Sequence, residues 1–373
     1  MLVGVPKEIK NHEYRVGLTP NSVKEFITYG HSVIVEKGAA DGIGFCDDDY
    51  RQAGARVVDD SADIYASAEM IVKVKEPQLQ EYALLRENQI LFTYLHLAPD
   101  PEQAKGLLAS GCVAIAYETI TSSDGRLPLL QPMSEVAGRL AVQVGASCLE
   151  KAKGGRGVLL GGVPGVSPGK VVVIGGGVVG TNAIRMAVGK GAQVTVLDRS
   201  LRRLEELDHQ FGSSIKTIYS TQTNIERYVT SADLVIGAVL VPGRSAPKLV
   251  SRELISRMHK GSVLVDVAID QGGCFETSRA TTHADPTYVE LGVVHYCVAN
   301  MPGAVPRTST FALNNATLPY ALELANKGYH KALAENIHLR NGLNVYRGQI
   351  TYLPVAEDLN IDYYCPEEVL QHA

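Results

Sequence analysis

The clearest chemical signal in the chain is carried by three glycines and an acid. Gly175, Gly177 and Gly180 set a G-x-G-x-x-G spacing inside VVVIGGGVVGTNAIRMAVGKGAQVTVLD, residues 171–198. The motif follows a β-branched run and precedes a helical one, the context that makes it informative. In such a motif the first glycine permits a tight turn, the second lets a pyrophosphate approach the backbone, and the third lets helix and strand pack closely. N–H groups at the start of the helix then face phosphate. Asp198 ends the second strand, where a carboxylate accepts the ribose hydroxyls of an adenosine and favours NAD over a 2′-phosphorylated cofactor. A glycine turn that binds nothing is the competing reading, and the ordered strand, helix and acid argue against it.

Six further side chains have types suited to catalysis. Arg15 lies in the polar loop NHEYRVGLTP; at the carboxyl end of a strand a guanidinium can grip a carboxylate through two parallel hydrogen bonds, and the alternative is a solvated loop cation. In MIVKVKEP, alternation puts Lys73 and Lys75 on one face and Val72 and Val74 on the other. Either a strand-end lysine serves a cleft, with Lys75 the better placed, or the strand is an edge with a wet face. His96 ends ILFTYLHLAP; histidine is the residue type that exchanges protons most readily near neutrality, although a strand-end histidine is also a common satisfied structural group. Asp266 and Asp270 share a parity in VLVDVAID. Asp270, beside the turn QGG, is the better cleft candidate, while Asp266 suits a packing or hydrogen-bonding role.

The elements that position these residues follow a βα rhythm. Residues 1 to about 130 alternate short apolar strands with helical stretches such as PNSVKEFITYG and DPEQAKGLLAS, with Gly30, Gly54 and Gly111 placed as helix-ending glycines. A connecting helix is expected from an N-cap at Ser134. The glycine-rich stretch Gly154 to Gly169 lacks the Lys-Ser/Thr ending of a P-loop and reads as a flexible loop beside the site. Three more apolar strands follow, and ligands of open α/β sheets lie at the carboxyl ends of such strands. The cofactor is therefore expected near Val239 and Leu240, near Val267, Ala268, Ile269 and Asp270, and near Val298, Ala299, Asn300 and Met301. The long helical run FALNNATLPYALELANKG can return the chain to the first unit. The expected architecture is α/β: two Rossmann-like doubly wound domains with a cleft between them, linked by long helices. Residues 1–130 plus 307–373 form the substrate domain, and 131–306 the NAD-binding domain.

Composition bounds the function. A chain of 373 residues exceeds one ordinary core. A formal net charge of -5, with scattered Lys and Arg, argues against a nucleic-acid partner. No apolar run reaches membrane-span length and the N-terminus lacks a signal-peptide core, so no membrane partner and a cytoplasmic location are expected. The six cysteines contain no C-x-x-C pair and read as small buried residues rather than disulfides or ligands. His283, His295 and Glu290 lack a metal spacing, and no metal is expected.

VGVPKEIKNHEYRVGLTP, MIVKVKEP, YLHLAP, QPMSEVAGRLAVQ, VVVIGGGVVG, LVDVAIDQGGC and VANMPGAVPRTST together resemble the NAD-dependent L-alanine dehydrogenases, in the same order from the first residues to the C-terminal helix. The NAD-binding subunit of proton-translocating transhydrogenase and the saccharopine dehydrogenases are similar in fold. The resemblance implies reversible oxidative deamination of L-alanine to pyruvate and ammonium by a homohexamer; because a pocket discriminates by only about 1–3 kcal/mol per methylene, activity on other small keto acids is also expected. It implies that Arg15 holds the substrate carboxylate, Lys75 polarises the keto oxygen, and His96 and Asp270 form the catalytic pair. Cofactor contacts carry over to Ser134, Val178, Val179, Asp198, Arg203, Ser220 and the three strand ends named above. Arg199, Arg202 and Arg203 follow Asp198 closely, which leaves weak use of NADP open. A transhydrogenase subunit and an NAD-sensing binding protein are the alternative readings.

Overall fold

The computed structural model describes residues 1–239 and 246–371; Leu240 lies outside them. The chain divides into two compact units, Met1–Met133 with Val305–Ala373, and Ser134–Ala304. Strands β1 (Leu2–Val5), β2 (Ser32–Glu36), β3 (Arg56–Val58), β4 (Met70–Val72), β5 (Ile90–Thr93) and β6 (Val113–Ala116) belong to the first unit. The second holds β7 (Lys170–Ile174), β8 (Gln193–Asp198), β9 (Ile215–Tyr219), β10 (Leu234–Gly237), β11 (Val263–Asp266), β12 (Thr287–Glu290) and β13 (Val293–Tyr296). The chain then returns to the first unit through helix Pro306–Lys327 and adds β14 (Leu343–Tyr346) and β15 (Gln349–Ile350).

Both sheets have the same winding. The first runs β15-β14-β6-β5-β4-β1-β2-β3 and the second β12-β13-β11-β10-β7-β8-β9. Within each, six strands are mutually parallel, in the order third, second, first, fourth, fifth, sixth; antiparallel strands extend one edge. The strand order reverses between β1 and β4 in the first unit and between β7 and β10 in the second. A crevice opens at such a reversal, outside the carboxyl ends of the strands, and ligands of open α/β sheets bind there. Strands covered on both faces must be apolar throughout, and β4, β5, β6, β10, β11 and β13 are buried at every position. Ile71, Leu91 and Ala114 pack in a core of the first unit with Ile64 and Leu107. Val172, Val235 and Leu264 do so in the second with Ile225 and Leu254.

Helix ends follow the glycines: Gly30, Gly54 and Gly111 all have left-handed backbone, φ +81°, +98° and +67°. Other expectations need correction. The connecting helix spans Gln131–Cys148, so Ser134 sits inside its first turn rather than at its cap. Pro132 explains the earlier start, because a proline's missing N–H costs nothing in a first turn. The stretch from Gly154 to Gly169 does not lie beside the glycine turn. Arg156 Nη1 binds Asp233 Oδ1 at 2.8 Å, Asp233 Oδ2 accepts the Lys170 N–H, and Gly161 abuts the Lys190 carbonyl. These contacts sit at the amino ends of β7, β8 and β10, the opposite edge of the sheet. Strand β4 is central and ends at Val72, which removes the edge-strand explanation of its lysines. Four cysteines are buried, but Cys46 is exposed and Cys365 half-buried. Among the described residues no helix is long and apolar enough to cross a membrane.

Candidate active site

In the second unit, each glycine of the motif does a different job. Gly175 leaves β7 with φ +98°, and a Cβ there would lie 2.6 Å from the Ala238 carbonyl oxygen, because the exits of β7 and β10 converge at the reversal point. Gly180 has no room either: a Cβ would stand 1.9 Å from the Gly175 oxygen, which is how helix Val178–Gly189 lies close against the turn. Gly177, by contrast, caps that helix and faces open space, with nothing within 4 Å of a Cβ. A phosphate can therefore reach the backbone at Gly177, in front of the N–H groups of the opening residues Val178 and Val179. The pattern fits a dinucleotide.

Asp198 anchors this turn as well as facing it. Its Oδ2 accepts the Gly176 N–H at 2.7 Å and its Oδ1 the Ser200 N–H at 2.8 Å. A carboxylate has about four lone-pair sites, so acceptor capacity remains for a ribose diol. The Ser220 N–H reaches the Asp198 carbonyl at 2.9 Å, which sets the exit of β9 beside that of β8. Arg203 is committed to the protein: Nε donates to the Gly176 oxygen at 2.6 Å, Nη2 to Thr181 Oγ1 and Nη1 to Glu206, both at 2.5 Å. Arg199 and Arg202 are exposed. Ser134 is half-buried on helix Gln131–Cys148, one turn before Gly138, where a Cβ would lie 2.2 Å from the Val179 oxygen.

The next strand exits complete that edge. Val239 follows β10. Val267 leaves β11 with its N–H on the Gly237 oxygen, and Ala268 binds Asp266 Oδ1. A short turn, Ile269–Gln271, presents Asp270 to solvent. Asp266 is fully buried and accepts the N–H groups of Cys274 and Phe275 and the Ser278 hydroxyl. Burial pushes its carboxyl up from the ordinary range, against these donors. The hydrogen-bonding role expected of Asp266 is therefore to fasten the loop on both sides of Asp270. After β13, Val298 and Met301 are buried, the Ala299 N–H binds the Thr281 carbonyl, and Asn300 takes a left-handed φ of +59° with its carbonyl on His283 Nε2.

The first unit collects Arg15, Lys75 and His96 at the exits of the adjacent strands β1, β4 and β5, around its own reversal point. Arg15 is buried, so the solvated reading fails. Its Nε and Nη2 meet Glu13 Oε1 and Oε2, and Nη1 lies 3.1 Å from Met133 Sδ. Burial disfavours the guanidinium charge, but Glu13 outweighs it. Gly17 presses this loop onto the exit of β4, since a Cβ there would meet the Val72 oxygen at 2.3 Å.

The two lysines part company. Lys73 is fully buried between Glu8 Oε2 at 3.1 Å and Glu81 Oε1 at 2.7 Å. Lys75 is less enclosed, with Nζ 3.6 Å from Glu76. Burial pushes the Glu76 carboxyl up, but Lys75 and the paired Lys10 hold it below the ordinary carboxylate range. The Lys75 carbonyl accepts the Thr93 hydroxyl at 2.9 Å, which ties the exits of β4 and β5 together.

His96 is not a satisfied structural histidine. Its side chain is 46% exposed, its ring stacks on Tyr94 at 5.8 Å, and its Nδ1 stands 4.0 Å from Glu118 Oε1, beyond hydrogen-bond reach. Its backbone holds a left-handed φ of +48°, a conformation costing on the order of 1–3 kcal/mol outside glycine. Glu118, following β6, secures it by accepting the N–H groups of Leu95 and His96, the latter at 2.7 Å. Sequence reasoning missed Glu8, Glu13 and Glu118. Only Glu13, two residues from Arg15, carried a local signal; Glu8 and Glu118 meet their partners across the fold.

Residues 4–137 match the family described as alanine dehydrogenase/PNT, N-terminal domain, and residues 141–353 its C-terminal domain. The alanine dehydrogenase of Halomonas elongata is 61% identical over 363 residues, covering 97% of this chain and 98% of its own. A solved L-alanine dehydrogenase superposes with a TM-score of 0.94 at 56% identity, over 96% of this chain and 99% of that one. A transhydrogenase from Sinorhizobium meliloti does so with a TM-score of 0.81 at 25% identity, over 94% and 99%.

Proposed function

Because the chain belongs to the alanine dehydrogenase/PNT family, we propose that it is an NAD-dependent alanine dehydrogenase, converting L-alanine, NAD and water reversibly to pyruvate, ammonium, NADH and a proton. The observation that carries this reading is the placement of Arg15, Lys75 and His96 at the reversal point of a sheet that has no glycine motif. Bound NAD would supply the hydride acceptor, held by the glycine turn, Asp198, Ser134, Ser220 and the exits of β10, β11 and β13.

The protein's groups divide the remaining work. Arg15 binds the substrate carboxylate and so fixes which face of the α-carbon is presented, an orientation worth up to about 7–11 kcal/mol. Lys75 stabilises negative charge on the substrate oxygen. Loss of hydride from alanine leaves an iminium; water adds to it, and the carbinolamine expels ammonia to give pyruvate. His96 and Asp270 take the proton from that water and return one to the departing nitrogen. A snug pocket for the methyl group discriminates by only about 1–3 kcal/mol per methylene, so turnover of glyoxylate and other small keto acids is expected. A homohexamer, carried over from the family resemblance, and a cytoplasmic location are the accompanying proposals, tested by sedimentation and cell fractionation.

The functional test is an NADH-formation assay of the purified chain with a panel of L-amino acids, with pyruvate and ammonium quantified. Equimolar NADH, pyruvate and ammonium from L-alanine is the expected result. Hydride exchange only in the presence of a membrane partner would favour a transhydrogenase subunit, and cofactor binding without turnover an NAD sensor.

A further inference from the structure

Lys75 is set in place by a buried carboxylate that comes from a different strand exit. Glu8, just beyond β1, turns its Oε1 onto two consecutive backbone donors, the N–H of Val74 at 2.7 Å and the N–H of Lys75 at 3.2 Å. Its Oε2 is 3.1 Å from Lys73 Nζ. Lys73 is in turn 2.7 Å from Glu81 Oε1, while Glu81 also takes the Tyr65 hydroxyl and the Gln78 N–H. A buried carboxylate must be paired and hydrogen-bonded to remain in place, and here Lys73 supplies the charge while the two amides fill the other oxygen.

We propose that Glu8 is a positioning residue for the reaction, acting through Lys75. The peptide groups on both sides of the Lys75 Cα are fixed: the N–H side by Glu8, and the carbonyl side by the Thr93 hydroxyl at 2.9 Å. Beyond Val72, where β4 ends, pairing with the neighbouring segment continues through the Lys73 N–H on the Phe92 carbonyl and the Tyr94 N–H on the Val74 carbonyl, so it is the N–H groups of Val74 and Lys75 that lack a ladder partner, and a carboxylate takes them. The two charged residues of the loop then have opposite duties. Lys73 points inward to charge-balance Glu8, and Lys75 is left for the substrate side. The inference rests on the proposed role of Lys75 toward the keto oxygen.

The experiment is a double-mutant cycle on the full chain with Glu8→Gln, Lys75→Gln and the pair, read as kcat and KM for pyruvate and Kd for NADH. Glu8→Gln preserves size and removes the charge. Its expected effect is a loss of roughly 10- to 100-fold in kcat/KM for pyruvate, the scale of a small misplacement of a catalytic group, with NADH affinity unchanged. In the Lys75→Gln background the same substitution should cost less than about threefold more, because residues acting through one another are not additive. An equal loss in both backgrounds would make Glu8 a merely structural residue and overturn the proposal. So would unchanged pyruvate kinetics in Glu8→Gln while Lys75→Gln is impaired. A Lys75→Gln variant with normal pyruvate kinetics would instead remove the proposed role of Lys75 itself. Hydrogen exchange in the unmodified protein keeps the proposal falsifiable even if the variants do not fold: the amides of Val74 and Lys75 should be protected like core strand amides, and exchange at loop rates would overturn the assignment.

Discussion

The guanidinium of Arg15 and the carboxylate of Glu13 form a buried two-point pair, Nε to Oε1 at 2.7 Å and Nη2 to Oε2 at 2.6 Å. Glu13 thereby fixes the plane of the guanidinium and directs its other edge, Nη1, toward Met133. A lysine has a point charge and no fork. Arg15→Lys should raise the KM for pyruvate roughly 10- to 100-fold, the scale of a lost charge-assisted hydrogen bond of about 1.5–3 kcal/mol, and leave the NADH Kd unchanged. Steady-state kinetics with a fluorescence titration of NADH would show it, and an unaltered pyruvate KM would remove Arg15 from substrate binding.

His96 and Asp270 are the proposed proton carriers, and both side chains are open to solvent. Proton transfer by a positioned side chain is worth about 10²–10⁴-fold. His96→Ala and Asp270→Ala should each lose at least that much in turnover while still binding NADH. Normal rates in either variant would contradict the assignment.

Two glycines of the same motif should fail in different ways. Gly177→Ala meets open space and has an ordinary φ of −64°, so its melting temperature should be unchanged while the NAD Kd rises at least about tenfold, about 1.4 kcal/mol. Gly180→Ala drives a Cβ into the Gly175 carbonyl and should cost about 1–3 kcal/mol of stability or more. Calorimetry of both variants with and without NAD separates the two effects.

The His295 ring is buried, with Nδ1 donating to the Val293 carbonyl at 3.0 Å and Nε2 accepting from the Thr277 hydroxyl at 2.7 Å. Burial holds its pKa below the ordinary 6.5. A base with a depressed folded-state pKa takes up a proton on unfolding, so its contribution to stability is full above 6.5 and is lost as pH falls through the folded value. His295→Gln should flatten the fall in stability across that window. Urea titrations at a series of pH values would test this, and an unchanged slope would show that other groups govern it.

Much of this was legible because it is local. The glycine turn, the helix behind it and Asp198 are contiguous in sequence, and their periodicities change from strand to helix and back within 28 residues, from 171 to 198. Strand exits were also readable, since Val267–Asp270 and Val298–Met301 follow the mostly apolar runs VLVD and VVHYC. Contacts that join distant segments were not. Period-two alternation put Lys73 and Lys75 on one face, with only nearness to the strand end favouring Lys75; the structural role of Lys73 depends on the loop from β1, which brings Glu8 against both. Glu118 lies 22 residues from His96 and meets it only because β5 and β6 are neighbours. The glycine-rich stretch 154–169 misled for the same reason: composition describes a loop but not the edge of the sheet on which it lies.

Isotope transfer from substrate to cofactor is the decisive measurement. L-Alanine carrying deuterium at the α-carbon is incubated with the purified chain and NAD alone, and the reduced cofactor and the keto acid are examined by mass spectrometry. Deuterated NADH in equimolar amount with pyruvate is expected. No NADH, or NADH without the label, would contradict the proposed reaction.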